Sequence, residues 1–131
     1  MIDWLAPHDG GRYIDGTLGA GGHAAGILDA SSPTGRLLGL DADPKALVVA
    51  KENLMRFGAR ATLVHSNFQN LQAVAEANHF TPVDGIVLDL GLSSMQLADA
   101  ERGFSFLTDG ALDMRFNPDE ETNAAILTSA G

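Results

Sequence analysis

Three aspartates stand where apolar runs stop: Asp15 after Tyr13-Ile14, Asp41 after Leu37-Leu38-Gly39-Leu40, and Asp89 after Ile86-Val87-Leu88. Asp15 leads into four glycines within seven residues, Gly16, Gly19, Gly21 and Gly22, and His23 then opens a helical pattern through Ala24-Ala25-Gly26-Ile27-Leu28. Glycines let the backbone take positive φ and let a ligand approach the main chain. A helix beginning just after them presents N–H groups that can donate to a carboxylate or phosphate. Gly19-Ala20-Gly21-Gly22-His23-Ala24 fits the loose dinucleotide pattern G-x-G-x-x-A. Asp15 tilts the choice away from that reading, because a carboxylate sits poorly beside a pyrophosphate and well beside an ammonium or sulfonium. The ligand it favours is S-adenosylmethionine. A glycine turn that binds nothing, or half of an NAD-dependent dehydrogenase, are the other readings of the same residues.

The remaining polar positions fall at comparable places. Asp41 follows the glycines by about 20 residues, where an acid accepts from ribose hydroxyls; a solvated strand-end acid is its structural alternative. Phe68 suits the face of an adenine, with Asn67 for a polar edge, and suits the core equally well. His23 has either a ligand carboxylate or the loop itself to donate to. Asp89 is expected beside the reactive end of the ligand, or is one more strand-end acid. The other histidines, His8, His65 and His79, are scattered, and no set of residues has metal-ligand spacing.

The elements that must position these residues alternate. Arg12–Asp15 reads as a strand, Gly21 to Ala30 as a helix, Arg36–Asp41 as a strand, and Pro44 to Phe57 as a helix. Asp43 is that helix's N-cap, Pro44 its first residue, and Gly58 its stop. Ala61–His65 is a third strand, Leu71–Asn78 a third helix and Val83–Asp89 a fourth strand, while Met1–Pro7 reads as the end of a helix. Repeated βαβ units imply a parallel sheet, whose ligands bind at the carboxyl ends of the strands. Asp15, Asp41, Asn67-Phe68 and Asp89 are therefore expected on one edge. Leu90 to Pro118 shows no clean period, and loops of that length are usually functional. Thr122–Ala130 reads as the beginning of a helix.

Composition narrows the class. The 131 residues are 45% apolar and 19% charged, ordinary values for one globular domain. There is no cysteine, so no disulfide and no thiolate metal site. No apolar run approaches a membrane span, and the first residues do not resemble a signal peptide. The net charge is −9, with only eight Lys and Arg, which argues against extensive phosphate contact by this chain alone.

Asp15-Gly16-Thr17-Leu18-Gly19-Ala20-Gly21-Gly22-His23, Asp89-Leu90-Gly91-Leu92-Ser93-Ser94-Met95-Gln96-Leu97, Glu101-Arg102-Gly103-Phe104-Ser105-Phe106 and Leu112-Asp113-Met114-Arg115 occur in that order. Together they closely resemble the RsmH (MraW) family, S-adenosylmethionine-dependent methyltransferases that act on the N4 of a cytidine in the decoding region of small-subunit ribosomal RNA. The resemblance implies a Rossmann-like class I methyltransferase sheet with helices on both faces, here incomplete at about four strands. It implies cofactor contacts at Gly21, Gly22, His23, Asp41, Phe68, Asp89 and Gln96, beside Asp15 and Gly19 in the same turn. Asp89 is also the candidate catalytic acceptor for the cytosine amine, although Leu90-Gly91-Leu92 follows it where amino-methyltransferases carry an Asp-Pro-Pro-Tyr-type motif. A cytoplasmic protein is implied, with ribosomal RNA or the assembled subunit as partner. The family's inserted substrate-recognition domain and later strands have no counterpart here, so residues 1–131 are expected to be the N-terminal, cofactor-binding part. Such a piece is expected to be inactive alone, and to self-associate through the open edge of the fourth strand. A non-catalytic cofactor-binding or assembly module is the alternative for the chain by itself.

Overall fold

A computed structural model describes residues 5–89, 93–107, 113–119 and 124–130. The elements run β1 (Arg12–Asp15), α1 (Gly22–Ala30), β2 (Arg36–Asp41), α2 (Pro44–Asn53), β3 (Ala61–His65), α3 (Leu71–Ala77), β4 (Gly85–Asp89), α4 (Ser94–Leu107), β5 (Asp113–Asp119) and β6 (Ala124–Ala130). They form one six-stranded sheet in the order β3-β2-β1-β4-β6-β5. The first four strands are parallel, as the βαβ pattern requires.

Period-two alternation assigns the strand side chains to two cores. Ile14, Leu38, Leu40, Ile86, Leu88 and Leu127 face α3 and α4, meeting Leu71, Ala75, Ala100, Phe104 and Leu107. Tyr13, Leu37, Val87 and Ile126 face α1 and α2, meeting Ala24, Ile27, Leu28, Ala50 and Leu54. The sheet thus has helices on both faces, which is why its central strands read as unbroken apolar runs. Among the described residues no helix is long and apolar enough to cross a membrane.

The second half of the chain departs from expectation. The sheet has six strands rather than about four. Within Leu90–Pro118, read as irregular, α4 and β5 are formed. The segment read as a helix start, Thr122–Ala130, carries β6 instead. β6 runs antiparallel along β4 from Gly85↔Thr128 to Asp89↔Ala124, and β5 closes a hairpin on it. The physical reason is burial: Ala125, Ile126 and Leu127 are each at most 1% exposed, on alternating faces, and a strand uses both faces where a single helix stripe would not. β4 is therefore an interior strand, and the open edge expected to drive self-association is covered.

Smaller differences have local causes. α2 stops at Asn53, and a 3₁₀ segment, Met55–Arg60, continues the chain; Gly58 within it takes φ 59° and ψ −132°, which ends any helix. β4 begins at Gly85 rather than Val83. Asp84, just before it, accepts from the Arg12 N–H at 2.8 Å, while its own N–H donates to the Arg12 carbonyl at 2.8 Å, aligning the starts of β1 and β4. Of the helix end expected over Met1–Pro7, residues 1–4 lie outside the described residues, and Leu5 sits in a turn with its side chain buried.

Candidate functional site

The site begins with the turn between β1 and α1. Asp15 is fully buried, and its Oδ1 accepts from the Thr17 N–H at 3.1 Å, so it folds the chain back as an Asx turn. Gly16 donates to the Val87 carbonyl at 3.0 Å and Leu18 to the Leu40 carbonyl at 2.9 Å, extending the sheet's bonding into the turn from both neighbouring strands. Gly19 has φ +55°, and Gly21, the N-cap of α1, has φ +90° and ψ 16°. Both conformations favour glycine. A Cβ built on Gly19 or Gly22 meets no atom within 4 Å, so the backbone there borders open space, as a cradle for a ligand must.

Asp41 closes the turn from β2. Its Oδ2 accepts from the Gly19 N–H at 2.8 Å, and its Oδ1 accepts from the Asp43 N–H at 2.8 Å. Each carboxylate oxygen retains acceptor capacity beyond the single bond it makes. The N-cap of α2 is Asp43, which accepts from the Lys45 N–H at 2.9 Å ahead of Pro44. That leaves Asp41 to the turn and to the open space beside it.

A cleft of about 290 Å³ lies at this end of the sheet, lined by Gly16, Thr17, Asp41, Ala42, Asn67 and Phe68. It brings together the ends of β1, β2 and β3, as the rule for parallel sheets requires. Phe68 is 6% exposed within the core, and it also lines the cleft. Asn67 accepts from the Gln69 N–H at 2.9 Å through its side-chain carbonyl. His23 is half-buried in the first turn of α1.

The two remaining expected positions lie past β4. Asp89 is its last residue, on the strand beside β1, where Asp15 is in register with Val87. The Asp89 side chain and Leu90–Leu92 lie outside what is described. Gln96 is in the first turn of α4, in a reciprocal bond pair: its Oε1 accepts from the Ser93 N–H at 2.9 Å, and the Ser93 Oγ accepts from the Gln96 N–H at 3.1 Å. This is a capping box. A backbone N–H can only donate, so the amide oxygen faces Ser93 and the Nε2 donors face away. The Ser93-x-x-Gln96 spacing, followed by Ala100, Phe104 and Leu107, carried a helix signal that the sequence reading passed over. Thr17, whose hydroxyl was given no role within the glycine stretch, and Ala42 also line the cleft. Among the described residues no group of three His, Asp or Glu side chains gathers as metal ligands.

The turn, the acid and the cleft recur in many parallel-sheet proteins, and the comparison that separates them is by family. The model of the MraW methylase family matches residues 1–129. The chain belongs to the MraW methylase family. Within that family, the ribosomal RNA small subunit methyltransferase H of Thermomicrobium roseum is 51% identical over 128 residues, which are 98% of this chain and 39% of that protein. This MraW-family chain therefore spans well under half the length of that relative. Its fold is also that of a protein-L-isoaspartate O-methyltransferase, with a TM-score of 0.69 at 16% identity over 98% of this chain and 39% of that one. Aeropyrum pernix fibrillarin, crystallised with natively bound S-adenosyl-L-methionine, aligns with a TM-score of 0.53 at 13% identity, covering 94% of this chain and 67% of fibrillarin.

Proposed function

We propose that residues 1–131 form the cofactor-binding part of an S-adenosylmethionine-dependent methyltransferase that modifies the N4 of a cytidine in the decoding region of small-subunit ribosomal RNA. The observation that carries the reading is the Asp41–Gly19 bond at the mouth of the cleft, in a chain of the MraW methylase family. One carboxylate holds the glycine turn in shape and still has lone pairs for the hydroxyls of a ribose. The residues present suit the group: an open glycine backbone for its amino-acid end, Asp41 for its ribose, and the Phe68 ring for its base.

The cofactor supplies an electrophilic methyl carried on a sulfonium. The chain's work is to fix where that methyl points and to present an acceptor to the incoming amine. Cytosine N4 is a weak nucleophile because its lone pair is delocalised into the ring. A carboxylate that accepts one of its N–H bonds turns the lone pair toward the methyl and holds near-attack geometry. Asp89, at the end of β4, is the residue proposed for that role. A bound cofactor would supply the methyl that the amine takes from sulfur, and Asp89 or water would receive the proton that the amine gives up. The target base must leave its stack to reach such a site.

By itself the chain is proposed not to methylate RNA. A net charge of −9 gives little hold on a phosphate backbone at physiological salt. The test has two arms on the 131-residue protein. Calorimetric titration should show S-adenosylhomocysteine binding in preference to NAD, and preference for NAD would overturn the cofactor assignment. Transfer of labelled methyl to small-subunit ribosomal RNA or assembled subunits should stay at background; turnover abolished by Asp89→Ala would show that this part suffices.

A further inference from the structure

The glycine turn is also held from α2, by contacts that the reading above does not use. Asn53, the last residue of α2, donates from Nδ2 to the Ala20 carbonyl at 2.9 Å. Its neighbour Leu54 is buried, and a Cβ built on Gly21 would lie 3.3 Å from both Cγ and Cδ1 of Leu54 and 3.6 Å from the Ala50 Cβ. The end of α2 thus grips the turn at two consecutive residues, by a hydrogen bond at Ala20 and by packing at Gly21.

The Ala20 carbonyl and the Gly21 N–H belong to one planar peptide unit. Asn53 holds the oxygen side of that plane, and the Leu18 carbonyl accepts from its N–H side at 3.0 Å. Its orientation is therefore set at both ends. The next two N–H groups, those of Gly22 and His23, begin α1 and have no acceptor within the helix. Their direction is inherited from the plane before them. We propose that Asn53 is a positioning residue for cofactor binding: it fixes the Ala20–Gly21 peptide and so aims the first N–H groups of α1 into the space beside the turn. The inference rests on the reading that this turn receives the amino-acid end of the cofactor. Because Asn53 is exposed, losing its bond leaves the rest of the fold intact and acts on the turn.

Asn53→Asp tests it in the 131-residue protein. The substitution keeps the size of the side chain and replaces its donor with an oxygen that repels the Ala20 carbonyl. Two probes are titrated, S-adenosylhomocysteine and 5′-methylthioadenosine, which share the nucleoside and sulfur but differ in the amino-acid end. The expected result is an affinity for S-adenosylhomocysteine lowered about fivefold, the loss of one ordinary hydrogen bond. Affinity for methylthioadenosine should stay unchanged, the melting temperature should fall by no more than a few degrees, and the amide resonances of Ala20 to His23 should shift in the unliganded protein. Unchanged S-adenosylhomocysteine affinity, or an equal loss for both probes, would overturn the positioning role. Asp41→Ala is the control for the underlying reading, and it should weaken both probes. If it weakens neither, or if the unsubstituted protein binds neither, the cofactor reading fails and takes the role of Asn53 with it.

Discussion

Asp41 and Gly19 are joined across 22 residues by a 2.8 Å bond from a backbone N–H to a carboxylate oxygen, and that bond couples the shape of the glycine turn to the mouth of the cleft. Removing the carboxylate takes away a turn anchor and the proposed ribose acceptor together. Asp41→Ala is expected to weaken S-adenosylhomocysteine binding by about 1–3 kcal/mol, the range for hydrogen bonds to a charged group. Isothermal titration measures it, and an affinity within twofold of the unsubstituted protein would remove Asp41 from the site.

Gln96 has two separable duties, one seen and one proposed. Its Oε1 caps α4 through Ser93, and the cofactor contact that the family resemblance implies for Gln96 we assign to its Nε2. Gln96→Glu keeps an acceptor for the cap and abolishes the donor. Thermal stability should hold while S-adenosylhomocysteine affinity falls severalfold. If affinity holds as well, Gln96 serves the helix alone.

The layer under α3 and α4 sets the stability of the cleft's far wall. Phe104 is completely buried in the same cluster as Phe68 and Leu71, and a Cβ on its neighbour Gly103 would lie only 3.3 Å from the Leu71 side chain. Phe104→Ala should cost about 3–5 kcal/mol, from lost burial and the cavity left behind. Urea unfolding monitored by circular dichroism gives the value, and a loss under about 1 kcal/mol would mean that α4 is not docked as described.

Two exposed aspartates make small contributions to stability that depend on pH. The hydrogen bonds from Arg56 at 2.9 and 3.0 Å hold the Asp29 carboxyl below its ordinary 3.8, and the Thr34 hydroxyl and N–H do the same for Asp9. A depressed folded-state pKa means that the contribution is present above the unfolded value and is lost as pH falls through the folded one. Asp29→Asn should therefore melt slightly below the unsubstituted protein at neutral pH, with the gap closing as pH falls through the depressed pKa of Asp29 and the charge is titrated away in the other protein too. A gap independent of pH would show that the charge of Asp29 contributes nothing.

The stretch from Arg12 to Asp89 was legible in the sequence because local and global signals agree there. Apolar runs end in acids, glycines follow the first, and Asp43-Pro44 starts a helix in the expected place. Past Asp89 the signals conflict. Ala124-Ala125 and the isolated glycines of the preceding stretch carry no strand periodicity, and β6 exists because β4 offers it a partner and two cores to enter. The same limit applies within the site. Asp41 could be placed from its distance to the glycines, whereas Asn53 is one polar residue at a helix end, and only the packing of α2 against the turn gives it a partner 33 residues away.

The antiparallel strand beside β4 also fixes an order of assembly. β6 lies between β4 and β5, so the seven residues Ala124–Ala130 occupy the interior of the sheet although β5, outside them, precedes them in the chain. During vectorial synthesis β1, β2 and β3 can pair as they emerge, but β4 keeps one bare flank until those residues have been made. The backbone groups of Ile86, Val87 and Leu88 on that flank are paired by β6, while their side chains are covered by the helices on the two faces. The growing polypeptide is therefore most exposed to misassociation in the interval between the completion of β4 and the arrival of β6.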